Sequence, residues 1–200
     1  MPPRGRNLYA MRFPLRLAIC ALLLAPAVAA PSAVRAEINL LQYDKLIEAT
    51  LANDAATVES LLDKGRSPDV VDDKKRTPLI LAAVHGYADI ADLLVRHKAK
   101  VNAEDEFGNS AMFYAAVHDD VDVLDVLIEG HGDVNSKNRQ GVTPLMGAAG
   151  AGSAGAVEKL LEAHAKAEDT DYTGRTARDY AVASNRRAVL NILDRHGVKQ

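Results

Sequence analysis

Cysteine is nearly missing from this 200-residue chain, which has one, Cys20, and no tryptophan. A lone cysteine inside an apolar N-terminal run closes no disulfide and builds no thiolate metal cluster, and it leaves the rest of the chain without a thiol nucleophile. Aromatics are scarce, with three Phe and six Tyr. A chain dominated by alanine and leucine suits closely packed helices better than a sheet sandwich. No Gly-x-Ser-x-Gly elbow occurs, and no serine recurs at a fixed spacing from a histidine, so nucleophilic catalysis has no sequence support. Long apolar runs are missing too: Leu17 through Val28 is about a dozen residues, short of the roughly 18 to 20 that span a bilayer.

The N-terminal segment has its own character. Arg4, Arg6, Arg12 and Arg16 precede the apolar run, and the small residues Ala27, Ala29 and Ala36 follow it. This pattern predicts a secretory signal peptide over residues 1–36, cut after Ala36, with Met11 as an alternative start. Ile19 stands before Cys20 where a lipoprotein signal needs a small residue, so no lipid anchor is expected. Export to the periplasm is therefore the expectation, with secretion as an alternative and no stable membrane insertion after cleavage. Residues 37–200 hold nineteen Lys and Arg against 27 Asp and Glu, a net charge of −8. That balance repels nucleic acid and anionic membranes at long range.

The remainder repeats itself. Thr77-Pro78-Leu79-Ile80-Leu81-Ala82-Ala83 returns 33 residues on as Ser110-Ala111-Met112-Phe113-Tyr114-Ala115-Ala116, again from Thr143 to Ala149, and again from Thr176. A fixed period of this length marks a stacked array whose units cannot bury their apolar faces alone. Asp44, Thr77, Ser110, Thr143 and Thr176 form a column of helix N-caps, with Pro78 and Pro144 at the first helical position. Nine residues later Asn53, Gly86, Asp119, Gly152 and Asn185 are residues that accept positive φ, which predicts a helix stop. Apolar pairs at i, i+3 follow (Ala91 and Leu94, Leu124 and Leu127, Val157 and Leu160) and predict a second helix. Asp72, Asp105, Asn138 and Asp171, each three residues before Lys75, Gly108, Gly141 or Gly174, predict a short hairpin-like turn between units.

Taken together, the Thr-Pro-Leu opening, the Ala-Ala pair, the Gly-type stop, the Val101-Asn102 and Val134-Asn135 exits and the Asp-x-x-Gly turn resemble the ankyrin repeat family. The resemblance implies an all-α solenoid of about five helix-turn-helix units, at residues 40–71, 72–104, 105–137, 138–170 and 171–200. It departs from the family where Ile80, Phe113, Met146 and Asp179 replace the histidine usual after Thr-Pro-Leu, so the bonds between units must come from elsewhere. Arg178 and Asp179 make the last unit polar, as a capped stack needs, and no further unit is expected after it.

The resemblance also implies a noncatalytic module that binds a protein partner through its hairpin tips and the inner side of its first helices. It places Asp73, Lys74, Arg76, Val84 and His85 there from repeat two. Glu106, Phe107, Asn109, Val117 and His118 come from repeat three; Arg139, Gln140 and Val142 from repeat four; and Tyr172, Thr173 and Arg175 from repeat five. Phe107, Tyr172 and Arg139 are the anchors expected to carry interface energy. A monomer without cofactors or bound metal is expected. Two alternatives stand beside this reading. His85 and His118, with Asp89 and Asp122 four residues on, could hold a metal, although acids in a first helical turn are favoured by the helix dipole alone. The same face could also belong to a secreted effector acting on a host protein. His97, His131, His164 and His196 are expected at the ends of second helices, where a partly cationic side chain suits the dipole. The run from Gly150 to Gly155 lacks a preceding strand and the Gly-Lys-Ser/Thr ending of a phosphate loop. It predicts a loosened, mobile turn.

Overall fold

The computed structural model describes residues 44–198; the expected signal peptide over residues 1–36 lies outside them. Ten helices occur among the described residues, two per repeat. They are α1 (Lys45–Leu51) and α2 (Ala55–Asp63), α3 (Pro78–His85) and α4 (Ala88–Arg96), and α5 (Ala111–His118) and α6 (Val121–Glu129). Then come α7 (Pro144–Ala151) and α8 (Ala154–Glu162), and α9 (Ala177–Ala183) and α10 (Arg187–Arg195). First helices pack on first helices and second on second, giving a two-layer solenoid.

Every cap column performs the job its residue type allows. The side chains of Asp44, Thr77, Ser110, Thr143 and Thr176 each accept a backbone N–H from the first turn of their helix. Asn53, Gly86, Asp119, Gly152 and Asn185 all stand at positive φ, between 53° and 87°. The reversal turns the chain into the second helix after two or three residues.

A second stop column was not legible as one. Gly65, Lys98, His131, His164 and Gly197 also have positive φ. At each, paired backbone bonds close the end of a second helix, as in Ala165 N–H to Leu160 O (2.9 Å) and His164 N–H to Leu161 O (3.0 Å). That is a Schellman closure, in which backbone geometry rather than side-chain charge sets the residue's place. His131 and His164 therefore lie just past the helix end, and His97 and His196 are the C-cap residues of α4 and α10.

One apolar core runs the length of the stack from Leu46 to Val198. Leu79, Ile80, Leu81, Leu94, Met112, Leu124, Leu145 and Met146 are all but inaccessible to solvent. Central first helices are buried on nearly all sides because each lies between two neighbours: Pro78 through Ala83 are buried without interruption. In α9 only Ala177 and Ala181 are buried, as fits a helix with a neighbour on one side. There Asp179 completes a capping box with Thr176, and Arg178 bonds Asp194 Oδ1 (2.6 Å) and Val198 O (3.2 Å).

The glycine run of repeat four is not a loosened turn. Gly150 lies in α7 and Gly155 in α8, and only Gly152, at φ 87°, turns the chain. A Cβ at Gly150 would come 3.3 Å from the Tyr180 ring, and one at Gly155 would come 3.0 Å from Val121 Cγ2. These glycines make room for neighbouring repeats.

Candidate protein-recognition face

Each inter-repeat turn is built around one buried or half-buried Asx side chain. Asp105 Oδ1 accepts the N–H of Phe107 (2.8 Å) and of Asn109 (2.9 Å). Asp72, Asn138 and Asp171 accept the equivalent pairs in their own turns. The Asx carboxylate or amide thus satisfies two donors that a tight turn leaves free. Successive turns are then tied by one backbone bond each: Glu106 N–H to Lys74 O, Arg139 N–H to Phe107 O, and Tyr172 N–H to Gln140 O, at 3.0, 3.1 and 3.2 Å.

Below the turns, Asp69, Asn102 and Asn135 accept the backbone N–H of Lys100, Asp133 and Lys166, each at 2.8 Å and 31 residues on. These side chains, with the turn ladder, supply the links between units that the missing histidines would otherwise make.

This framework divides the expected face into two groups. The first is committed to the fold. Asn109 is buried, donating to Tyr114 Oη (3.2 Å) and accepting from Asn138 Nδ2 (2.9 Å), and Val142 is buried as well. Neither is the free contact residue expected of it: Asn138 of the next turn covers Asn109, and Val142 packs into the apolar core. Arg76 pairs with Asp72, its Nη2 2.7 Å from Oδ2. Arg175 pairs with Asp171 (3.0 Å) and lies over the Tyr180 ring, 4.5 Å from its centre. Val84 and Val117 are half-buried on α3 and α5.

The second group points outward. Asp73, Lys74, Arg139, Gln140 and Tyr172 are exposed, Glu106 is half-exposed, and Phe107 is 58% exposed; Thr173 is exposed too, but its Oγ1 donates to Asp171 Oδ1 (2.7 Å). Phe107, Glu106, Arg139 and Gln140 line an open groove of about 490 Å³ between the turns of repeats three and four, with Phe113 on one wall. Tyr172, 75% exposed, rests its ring edge on Gly141, where a Cβ would meet Tyr172 Cδ1 at 2.8 Å. His85 and His118 are exposed at the ends of α3 and α5, and the His85 ring stacks on Tyr87 with centroids 5.4 Å apart. Asp89 and Asp122 occupy the first turns of α4 and α6. Among the described residues, no group of three or more His, Cys, Asp or Glu is placed to hold a metal ion.

Sequence reasoning missed the tyrosine relays. Tyr114 Oη donates to Asp105 Oδ2 (2.6 Å), and Tyr180 Oη donates to Asp171 Oδ2 (2.7 Å). Burial first, and then the bond to the carboxylate, raises both phenols above their ordinary pKa. Desolvation pushes Asp171 upward, but hydrogen bonds from Thr173, Arg175 and Tyr180 outweigh it and hold the carboxyl well below the usual range. The signal was present as Asp and Tyr nine residues apart in repeats three and five, with Asn138 and Gly147 replacing both in repeat four.

A family model described as ankyrin repeats (3 copies) matches residues 46–138 and 120–199. The chain belongs to the ankyrin repeat family. Its ankyrin repeats are 39% identical over 67 residues to the potassium channel AKT2/3 of Arabidopsis thaliana, covering 34% of this chain and 8% of the channel. They are 41% identical over 63 residues to the Arabidopsis serine/threonine-protein kinase VIK, covering 30% of this chain and 14% of the kinase. The ankyrin repeat protein nuc-2 of Neurospora crassa is 36% identical over 72 residues, 34% of this chain and 7% of that protein. This ankyrin chain thus spans a small part of the curated relatives it matches. Ankyrin repeats form a protein–protein interaction module and in general a non-enzymatic one. No helix among the described residues is long and apolar enough to cross a membrane.

Proposed function

We propose that this chain is exported and works in the periplasm as a noncatalytic recognition module, holding one partner protein through its turn tips and the inner side of its first helices. The observation that carries the reading is the division of labour at the turns. The Asx, Arg76, Asn109 and Arg175 side chains are spent on the fold, while Phe107, Arg139 and Tyr172 stay open to solvent beside them. Aromatic and arginine side chains held on a rigid scaffold at low entropic cost are the usual anchors of an interface. Export rests on the Arg-rich, apolar leader that precedes the repeats.

The test is a crosslinking pull-down from periplasm, read by mass spectrometry, with wild type beside Phe107→Ala/Arg139→Ala. The double variant keeps its helical circular dichroism and melting temperature and loses the partner. Retained recovery refutes this face, and recovery of the protein from the culture medium alone refutes the periplasmic placement.

A further inference from the structure

Charge is distributed very unevenly along the stack. Residues 101–136 hold nine Asp and Glu and no Lys or Arg, whereas residues 137–200 hold ten Lys and Arg against seven Asp and Glu. The groove between the turns of repeats three and four lies where these stretches meet. Glu106 lines it from the acidic side and Arg139 from the basic side, with Phe107 and Phe113 completing the apolar part. None of the ion pairs among the described residues uses Glu106 or Arg139. The Arg139 side chain starts out over Gly108, where a Cβ would meet its Cγ at 3.1 Å. The groove therefore has two unneutralised charges of opposite sign flanking an exposed aromatic ring.

Glu106 and Arg139 are equivalent positions in adjacent units, which places them about 8 to 10 Å apart, the spacing of packed helices. An extended polyproline-II segment rises about 3.1 Å per residue and returns a side chain to the same face every three residues, so residues three apart cover that distance on one face. From this we infer the partner's contact element: an extended protein segment with a basic and an acidic residue three apart and apolar side chains between them. The basic residue lies against Glu106, the acidic residue against Arg139, and an apolar side chain enters beside Phe107. This rests on the recognition reading and narrows it to the chemistry of the occupant. A uniformly basic segment would meet Arg139 and a uniformly acidic one Glu106, so a segment carrying both signs fits best.

The test uses the full repeat region and three fluorescein-labelled ten-residue peptides with Ser-Gly flanks. Their cores are Lys-Leu-Leu-Glu, Lys-Leu-Leu-Lys and Glu-Leu-Leu-Glu, and binding is read by fluorescence anisotropy. Because the mixed core satisfies both charges in either chain direction, it binds about threefold to tenfold more tightly than the other two. Arg139→Glu reverses the ranking in favour of the all-lysine core, Glu106→Lys favours the all-glutamate core, and Phe107→Ala weakens all three by about tenfold. Equal affinity for the three peptides, or no binding to any, overturns the inference. So does a concentration-dependent sedimentation coefficient that Phe107→Ala abolishes, because a second copy then fills the groove. A partner recovered through the Phe107 and Arg139 face whose contact segment lacks the mixed core overturns this inference and leaves the recognition module standing. Recovery unaffected by Phe107→Ala/Arg139→Ala overturns the module reading itself.

Discussion

Replacing Asp105 by alanine removes the acceptor on which the turn of repeat three is built. The carboxylate is 4% exposed and takes three hydrogen bonds, from Phe107 N–H at 2.8 Å, Asn109 N–H at 2.9 Å and Tyr114 Oη at 2.6 Å. A bond to a charged acceptor contributes about 1.5 to 3 kcal/mol net, and donors stranded away from water lose more than the bond itself. The Phe107 amide lies at an exposed tip and Tyr114 is half-buried, so water recovers part of that loss. The expected destabilisation is about 3 to 5 kcal/mol, a large share of the ~5 to 15 kcal/mol that holds an ordinary domain together. For a domain of this size it lowers the melting temperature by about 10 °C. Asp105→Asn is milder, at about 1 to 2 kcal/mol, because Asn138 shows that an amide oxygen serves the two backbone donors equally well, at 2.9 and 3.0 Å. What the amide loses is the charged acceptor for Tyr114, so Asp105→Asn should cost little in a Tyr114→Phe background. Urea titrations of the four proteins give that cycle. An Asp105→Ala variant within 1 kcal/mol of wild type, or strictly additive Asp105→Asn and Tyr114→Phe effects, refutes the reasoning.

Other expectations are as direct. Gly141 and Gly174 share one turn position, with φ of 78° and 85°; a Cβ would strike Tyr172 N at 2.9 Å at Gly141 and nothing within 4 Å at Gly174. Alanine at Gly174 meets only left-handed strain, about 1 to 2 kcal/mol, and alanine at Gly141 adds a backbone clash, so its urea midpoint falls further. Equal midpoints would show that the next turn does not press on Gly141. Stability should also fall at both pH extremes. The depressed Asp171 carboxyl contributes above its ordinary value of 3.8 and is lost as pH drops below it. The raised Tyr114 and Tyr180 phenols contribute below their ordinary value of 10.0 and are lost as pH climbs through their folded values. Midpoints measured from pH 3 to pH 11 test this, with Tyr114→Phe/Tyr180→Phe removing the phenol part of the alkaline limb. A wild-type midpoint unchanged between pH 9 and pH 11 contradicts the relays.

The repeat, its helices and its caps were legible in the sequence because each depends on chemistry local to a few residues. Threonine and serine oxygens reach the first turn of their own helix, proline fits where no N–H is needed, and a small or Asx residue accepts the left-handed stop. These constraints recur every 33 residues, so five weak signals at one column add to a strong one. The second stop at Lys98, His131 and His164 escaped that reading, since backbone bonds to the helix before it impose the conformation on residues that do not favour it.

Which turn residues remain free was decided by the folded turns and their stacking. Asn109, Val142 and Arg76 look like Phe107 and Arg139 in the sequence: polar, apolar or charged residues at or near a tip. Arg76 is withdrawn by Asp72 within its own turn, Asn109 by Asn138 of the next turn 29 residues on, and Val142 by the apolar core, and only stacking brings Asn138 to Asn109. Glycine at 150 and 155 likewise meant a loose turn when read along the chain and means close packing once Tyr180 and Val121 are set against it. Helix caps obey short-range chemistry and can be read in one dimension; burial and groove are products of contact between units and exist only in three.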